Sequence, residues 1–207
     1  MLMFDLCLEI TGLCVGLLYL WWEYHADNKV WLASVVMPAI SMWIYYSKGL
    51  YADFGINIYY LLIAIYGFWS WSGKTAPRKP SESKECPSAT ESGSSRRPIT
   101  HTPVKEWGLI AAASCTLWVA LWWLLVRFTD STVPVADAFT TSLSIVGLWM
   151  LARKYVEQWL IWFIVDIVCC GLYFYKGLYF YCVLYGVYTV ISIFGYRKWL
   201  AMMPHKK

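Results

Sequence analysis

The stretches YYSKGLYADFG (Tyr45–Gly55) and YFYKGLYFYCV (Tyr173–Val183) share the tetrapeptide KGLY. Setting the two copies in register gives an offset of 128 residues. The alignment extends without a gap, and tryptophans match at both ends of the block 31–71, namely Trp31 with Trp159 and Trp71 with Trp199. Shared composition alone would scatter such matches over many offsets, so the pattern indicates a duplicated unit.

The composition is that of an integral membrane protein. Of the 207 residues, 59% are hydrophobic and 14% are charged, whereas soluble domains carry about 25% charged residues. The seven cysteines include no CxxC pair, so neither a metal nor a redox cofactor is expected. The N-terminus contains Asp5 and Glu9 and lacks a basic region, which predicts that the first apolar block is a retained helix and not a signal peptide.

Seven apolar segments follow one another, each about 16–20 residues long and thus able to cross a ~30 Å hydrocarbon layer as a helix. They are residues 9–24, 31–47, 53–71, 107–126, 136–152, 157–175 and 178–196. Lipid leaves no other way to satisfy the backbone of a single span. The predicted fold class is therefore an all-α integral membrane protein with seven transmembrane helices.

The repeat divides the seven helices into a group of three, a single connecting helix and a second group of three. Because a single inserted span restores the chain direction, the two triplets run parallel, as in the parallel repeats of SWEET-like proteins. The segment between the third and fourth spans is rich in Ser, Pro, Thr and charge, so we expect a disordered linker. The predicted parts are a first three-helix repeat at 9–71, a cytoplasmic polar linker at 72–106, a connecting helix at 107–126 and a second three-helix repeat at 137–199.

The basic residues predict an orientation in the membrane. If the seven spans alternate, all of the 17 lysines and arginines except Lys48, Arg127 and Lys176 fall on one side. Cytoplasmic loops carry an excess of Lys and Arg, which places the N-terminus outside and the C-terminus in the cytoplasm. Each KGLY copy then lies in a short outer turn. We expect a multi-pass protein of the cell inner membrane that contacts lipid and no nucleic acid.

The blocks GLLYLWWEY (Gly16–Tyr24), KGLYADFGINIYYLLIAIYGFWSW (Lys48–Trp71) and QWLIWFIVDIVCCGLYFYKGLYFYCVLYGVYTVISIFGYRKW (Gln158–Trp199) resemble the PnuC family of bacterial vitamin transporters. The resemblance covers six of the seven helices and omits the linker and its helix. It implies that nicotinamide riboside crosses by facilitated diffusion and is trapped when a cytoplasmic kinase phosphorylates it. Related members carry thiamine or riboflavin. The resemblance also implies a homo-oligomer, specifically a trimer.

Asp166 lies in the middle of the sixth span, where a charge is costly and often functional. Trp159, Trp162 and Asp166 share one helix face at spacings i, i+3 and i+7. Indole faces attract a flat cationic ring, and a carboxylate can complement its charge or accept ribose hydroxyls. The alternative is a carboxylate that hydrogen bonds Ser, Thr or Tyr of a neighbouring helix. The spacing of Trp159, Trp162 and Asp166 resembles that of the corresponding segment in the PnuC family, in which an amide side chain often stands at the position of Asp166.

A second polar stripe recurs in both halves. Asn57 and Tyr60 lie on one face of the third span, and Tyr185 and Tyr188 occupy the matching positions of the seventh. They could bind an amide or sugar hydroxyls, or they could serve interhelical hydrogen bonding and packing. Gln158, at the membrane boundary, is a further candidate that could gate the inner mouth.

The predicted substrate-binding set is therefore Trp162, Asp166, Asn57, Tyr60, Tyr185, Tyr188, Trp159 and Gln158. The predicted function is a nicotinamide riboside transporter, with thiamine, also cationic and aromatic, as the rival substrate; ion coupling stays open. An enzyme is not expected, because no histidine lies in a span and no GxSxG or HExxH motif occurs. A structural or receptor-like protein would not need the repeated stripe. Glu23 is expected to be solvated in an interfacial aromatic belt.

Overall fold

The chain folds into helices. The computed structural model describes residues 17–47, 51–72, 97–129, 132–175, 177 and 179–203. Within these ranges the helices are α1 over residues 17–24, α2 over Lys29–Ser47, α3 over Tyr51–Trp71, α4 over Val104–Phe128, α5 over Pro134–Ala152, α6 over Gln158–Tyr175 and α7 over Tyr179–Met202. The predicted all-helical fold is confirmed. Residues 9–16 of the first predicted span, and the turn residues Lys48, Gly49, Leu50, Lys176 and Leu178, lie outside the described residues.

Three of the described helices, α4, α5 and α6, are both long and apolar enough to cross a membrane. Residues Ile56–Trp71 of α3 add a shorter apolar helix. Within α4, which is described throughout, Ile110 is the only buried residue, while Leu109, Trp123 and Phe128 are exposed. Exposed apolar side chains along a helix of 25 residues are typical of a surface that faces lipid.

Two compact units follow each other along the chain, residues 1–98 and residues 99–207. In the first, α2 packs on α3; in the second, α4 packs on α5, α5 on α6 and α6 on α7. The predicted connecting helix is α4, and it packs within the second unit. A buried cluster there joins α4 and α5 to the turn after α5, and its members are Ile110, Val146, Met150 and Tyr155.

The turn between α1 and α2 and the turn between α5 and α6 have the same backbone conformation. Ala26 has φ 50° and Lys154 has φ 56°, and these two positions are 128 residues apart. Among the described residues they are the only ones other than glycine with positive φ. The left-handed conformation costs an L-residue roughly 1–2 kcal/mol, so its recurrence at the repeat offset reflects one shared turn design.

The backbone hydrogen bonds of these two turns also correspond. In the first turn the amides of residues 26 and 27 donate to the carbonyls of Glu23 and Trp22, at 3.0 and 2.9 Å. In the second turn the amides of residues 154 and 155 donate to the carbonyls of Leu151 and Met150, at 2.9 and 3.0 Å. This pair of bonds is the Schellman pattern, which satisfies the last carbonyls of a helix and reverses the chain.

Each unit also contains the same packing of two tryptophans and a glycine. In the first unit Trp31 and Trp71 are buried, with ring centroids 5.5 Å apart in an edge-to-face arrangement. In the second unit Trp159 and Trp199 form the same contact at 5.9 Å. In both units the first tryptophan lies against a glycine of the last helix, Gly67 or Gly195, where a Cβ atom would collide with the indole.

The structure bears on two expectations about polar segments, and the one about Glu23 is wrong. Glu23 is buried, with 2% of its surface exposed, and is not solvated at an interface. Tyr19, one helical turn earlier, lies near both Glu23 and Ser34 of α2, so this face of α1 points inward. The linker is also ordered at its end, where Arg97 Nη1 donates to Ser70 Oγ at 2.8 Å and α4 begins at Val104, before the predicted residue 107. Residues 73–96 of the linker lie outside the described residues.

Candidate functional site

The first half of α6 carries the polar and aromatic residues predicted to bind substrate. Gln158 is fully buried, Trp159 is 1% exposed and Asp166 is 5% exposed, while Trp162 is half-buried. Gln158, Trp162 and Asp166 follow each other at intervals of four residues and so lie along one side of the helix. These groups therefore form a row that extends about 12 Å along α6.

Several polar groups in the first half of α6 lack a hydrogen-bond partner among the described residues. Neither the amide nitrogen nor the amide oxygen of Gln158 has one, and the indole N–H groups of Trp159 and Trp162 have none. A buried polar group without a partner costs roughly 1–3 kcal/mol. Buried groups of this kind are usually satisfied by a ligand or by ordered water. The start of α6 thus offers donors and an acceptor to a bound molecule.

The two indoles of α6 have different surroundings. The ring of Trp159 lies against Gly195 and makes an edge-to-face contact with Trp199, so it packs between α6 and α7. The ring of Trp162 lies beside Gly147 of α5 and remains half-buried. Trp162 therefore has more free ring surface for an aromatic ligand than Trp159 has.

Asp166 is tied to α7. Ser192 Oγ donates to Asp166 Oδ2 at 3.2 Å, and both residues are buried. This bond is the interhelical contact that the packing alternative predicted. Tyr188 and Tyr185, one and two turns before Ser192, also lie near Asp166. The carboxylate therefore faces α7, on the side where the predicted tyrosines lie.

Stacked phenol rings continue this surface toward the end of α6. Tyr173 stacks on Tyr181 with centroids 5.4 Å apart and on Tyr185 at 5.2 Å. Tyr185 in turn contacts Tyr188 edge to face at 5.7 Å. The rings form an aromatic row on α6 and α7 that begins near Asp166 and extends to the end predicted to face outward.

The remaining two candidates lie in the first unit. Asn57 of α3 is buried, with 8% of its surface exposed, and Tyr60 is half-buried with its ring 5.9 Å from that of Tyr59. The second unit thus places Gln158, Trp159, Trp162 and Asp166 along α6 and puts Tyr185 and Tyr188 near Asp166, while Asn57 and Tyr60 share α3.

The structure adds residues that the sequence did not single out. Ser192 lies on the same face of α7 as Tyr185 and Tyr188, and its bond to Asp166 depends on how α6 and α7 pack. Glu157, directly before α6, binds His101 and Thr102, which the sequence places in the linker. Among the described residues no group of three or more His, Cys, Asp or Glu could hold a metal ion.

Comparison with known proteins gives the family. A family model described as nicotinamide mononucleotide transporter matches residues 6–201. The nicotinamide riboside transporter PnuC of Escherichia coli (strain K12) is 25% identical over 205 residues, covering 92% of this chain and 82% of that protein. The riboflavin/roseoflavin transporter RibM of Streptomyces davaonensis is 23% identical over 192 residues, covering 92% and 83%.

A solved structure agrees with the fold. The crystal structure of the vitamin B3 transporter PnuC matches with a TM-score of 0.61 at 22% identity, covering 92% of this chain and 79% of that one. The family match spans almost the whole chain, and the apolar helices are those of a membrane protein. The protein is thus a vitamin transporter and not an enzyme, and the chain belongs to the nicotinamide mononucleotide transporter family, with PnuC proteins among its relatives.

Proposed function

We propose that this protein imports nicotinamide riboside across the cell inner membrane by facilitated diffusion. A cytoplasmic kinase that phosphorylates the nucleoside would trap it and maintain the inward gradient. The proposal is supported by the PnuC relatives, whose names give nicotinamide riboside as their substrate. It is also supported by the donors, acceptor and aromatic surface on α6.

The observation that carries the proposal is the unpartnered amide of Gln158. Both of its polar atoms are buried and lack partners among the described residues. A primary carboxamide such as that of nicotinamide has one donor group and one acceptor, which complement the acceptor and donor of a glutamine side chain. We therefore assign the carboxamide of the substrate to Gln158, in place of the gating role.

Trp162 and Asp166 complete the proposed contacts. The pyridinium ring of nicotinamide riboside carries a fixed positive charge, and an indole face attracts such a cation by roughly 0.5–2 kcal/mol. The Asp166 carboxylate supplies a compensating negative charge or accepts a ribose hydroxyl. Trp159 then serves mainly to hold α6 against α7, because its ring is enclosed by Gly195 and Trp199.

The tyrosines of the α7 stripe line the rest of the proposed path. Tyr185 and Tyr188 of α7 lie near Asp166, and in this proposal they contact the ribose. Asn57 and Tyr60 occupy the matching positions of α3. This assignment rests on the proposed 3+1+3 SWEET-like order, in which α1–α3 and α5–α7 are parallel repeats. The recurring turns and tryptophan contacts support the duplication. We further propose a homotrimer, with the family resemblance as its support.

Other vitamins are the rival substrates. Thiamine is also cationic and aromatic, and it would use the same indole and carboxylate. A specific observation favours riboflavin as a second candidate, because a riboflavin/roseoflavin transporter is 23% identical over 92% of this chain. Riboflavin is neutral, so its binding would depend on the aromatic and amide groups and little on the charge of Asp166.

The test is a titration of the purified protein with nicotinamide riboside, thiamine and riboflavin, followed by tryptophan fluorescence and by calorimetry. We expect nicotinamide riboside to bind tightest. We expect Asp166→Ala and Trp162→Ala to weaken binding by about tenfold or more, since each removes a contact of roughly 1.5 kcal/mol. Trp123→Ala is the matched control, because Trp123 of α4 is 60% exposed and should leave affinity unchanged. Unaltered binding in both site variants would refute the assigned site.

A further inference from the structure

The last linker residues, Thr100–Thr102, lie across the turn between α5 and α6, and we call them the strap. The amide of Thr100 donates to the carbonyl of Lys154, and the amide of Val156 donates to the carbonyl of Thr100, both at 3.1 Å. These bonds form a single parallel β-bridge between Thr100 and Tyr155. The strap therefore follows the turn closely and is held to it on both sides of Tyr155.

Glu157 binds the strap with both carboxylate oxygens. Oε2 accepts hydrogen bonds from the amide and the hydroxyl of Thr102, at 2.9 and 2.8 Å. Oε1 lies 2.7 Å from Nδ1 of His101, which must carry the proton because a carboxylate only accepts. Burial by itself would raise the pKa of Glu157, but the hydrogen bonds from His101 and Thr102 outweigh it and lower the pKa.

A second contact ties the start of α4 to the same turn. The hydroxyl of Tyr155 donates to Glu106 Oε2 at 3.0 Å, and Glu106 lies in the first turn of α4. The ring of Tyr155 is part of the buried cluster that joins α4 and α5. The strap is thus held to the turn directly by Glu157. It is also held indirectly, because the chain continues into α4, where Glu106 binds Tyr155 of the same turn.

Glu157 also lies directly before α6. Its carbonyl accepts from the amides of Leu160 and Ile161, at 3.0 and 3.4 Å, in the first turn of that helix. The next residue is Gln158, whose buried amide has no partner among the described residues. The side chain of Gln158 is therefore not oriented by a hydrogen bond to any of the described residues. Its direction depends on the backbone of the first turn of α6, and that backbone is anchored by Glu157.

The corresponding position of the first unit lacks this device. At the repeat offset Glu157 corresponds to Lys29, the first residue of α2. The side chain of Lys29 is 66% exposed and lies 3.9 Å from Asp27 of its own turn. The two turns share their backbone conformation, so the anchored carboxylate is an addition specific to the turn that precedes α6.

We propose that Glu157 is a positioning residue: by anchoring the strap to the start of α6, it orients Gln158 for the substrate carboxamide. This inference rests on the function proposed above. Glu157 does not touch the substrate. It changes substrate affinity only by orienting Gln158. It stabilises the first turn of α6 whether or not substrate is bound.

The experiment combines hydrogen exchange with a double-mutant cycle on the full-length purified protein. In Glu157→Ala we expect faster amide exchange over residues 158–162 and affinity for nicotinamide riboside reduced about tenfold, as for loss of a charge-assisted hydrogen bond. Thr102→Val keeps the amide donor and loses the hydroxyl. We therefore expect a smaller increase in amide exchange over residues 158–162 and a loss of affinity of about threefold. Lys29→Ala is the matched control and should change neither readout.

The cycle separates positioning from general stability. If Glu157 acts through Gln158, Glu157→Ala should cause no further loss of affinity in a Gln158→Ala background. Additive losses would overturn the proposal, and so would unchanged exchange over residues 158–162 in both Glu157→Ala and Thr102→Val. If Glu157→Ala does not fold, Thr102→Val decides the same questions. Absence of nicotinamide riboside binding in the unmodified protein would refute the proposed function, whereas the exchange measurements would still decide whether Glu157 anchors α6.

Discussion

Gly195 shows how one missing Cβ atom determines the packing of a helix pair. A Cβ at this position would lie 2.7 Å from the indole of Trp159, whereas no atom of the described residues would lie within 4 Å of a Cβ at Gly186 of the same helix. Gly67 meets Trp31 in the corresponding way in the first unit. The glycine allows α7 to approach α6 closely enough to enclose the ring of Trp159.

We predict that Gly195→Ala destabilises the protein by roughly 1–3 kcal/mol, because the rigid indole cannot move away without disturbing Trp199. Gly186→Ala is the control within the same helix. It should leave stability unchanged or raise it by up to about 1 kcal/mol through the higher helix propensity of alanine. Thermal unfolding of the detergent-solubilised protein measures both. Equal unfolding temperatures for the two variants would show that the glycine is not required for this packing.

At the scale of secondary-structure elements, the two Schellman turns carry a strained residue where glycine is usual. Ala26 has φ 50°, which costs an L-residue roughly 1–2 kcal/mol. We predict that Ala26→Gly stabilises the protein by a net of about 0.5–1 kcal/mol, after the larger backbone entropy of glycine in the unfolded chain is subtracted. The control is Ala33→Gly in the interior of α2, which should cost about 1 kcal/mol. Destabilisation by both substitutions, measured by thermal unfolding, would contradict the prediction.

The bonds between the strap and Glu157 depend on pH. A carboxyl group whose pKa is lowered in the folded state adds stability above its ordinary pKa, and this contribution is lost as the pH falls through the folded value. The ordinary value for glutamate is 4.5, and the pKa of Glu157 lies below it. We predict that the strap is retained at neutral pH and released as the pH falls below about 4.5.

Glu157→Gln isolates this contribution from those of the other acidic residues. The substitution removes the titrating group, so the difference in unfolding temperature between wild type and variant should be largest at neutral pH. It should shrink as the pH falls below about 4.5, once both proteins lack the charge. A difference that is constant from neutral to acidic pH would show that the charge of Glu157 does not hold the strap.

The elements themselves were largely predictable from the sequence, and the contacts were less so. Long apolar runs placed the helices because each must supply its own backbone hydrogen bonds in lipid. Helix periodicity put Trp159, Trp162 and Asp166 on one face, but it could not show that Gly195 encloses one indole and leaves the other free. The bond between Thr102 and Glu157 joins residues 55 positions apart, in segments with no apolar pattern. Burial of Glu23 likewise depends on which face of α1 meets α2.

At the scale of the whole molecule, the duplication and the charge distribution lead to one orientation. The recurring turn of φ 50° and 56° and the recurring tryptophan contacts show that each unit repeats a local design at the same offset. The basic residues lie on one predicted side, apart from Lys48, Arg127 and Lys176. Because Lys and Arg are retained in cytoplasmic loops, we predict that the α1–α2 turn is cytoplasmic and that both KGLY turns face outward.

Labelling of single cysteines tests this orientation. In a variant whose seven cysteines are replaced, Lys176→Cys should react with a membrane-impermeant maleimide in right-side-out vesicles. Lys29→Cys should react only after detergent is added, although its side chain is exposed and so accessible to the reagent. Reaction of both after detergent is the control for accessibility. Labelling of Lys29→Cys and protection of Lys176→Cys in intact vesicles would show that the predicted topology is inverted. Gln158 would then lie at the outer end of α6, where the substrate enters, and not at the inner end, where it leaves.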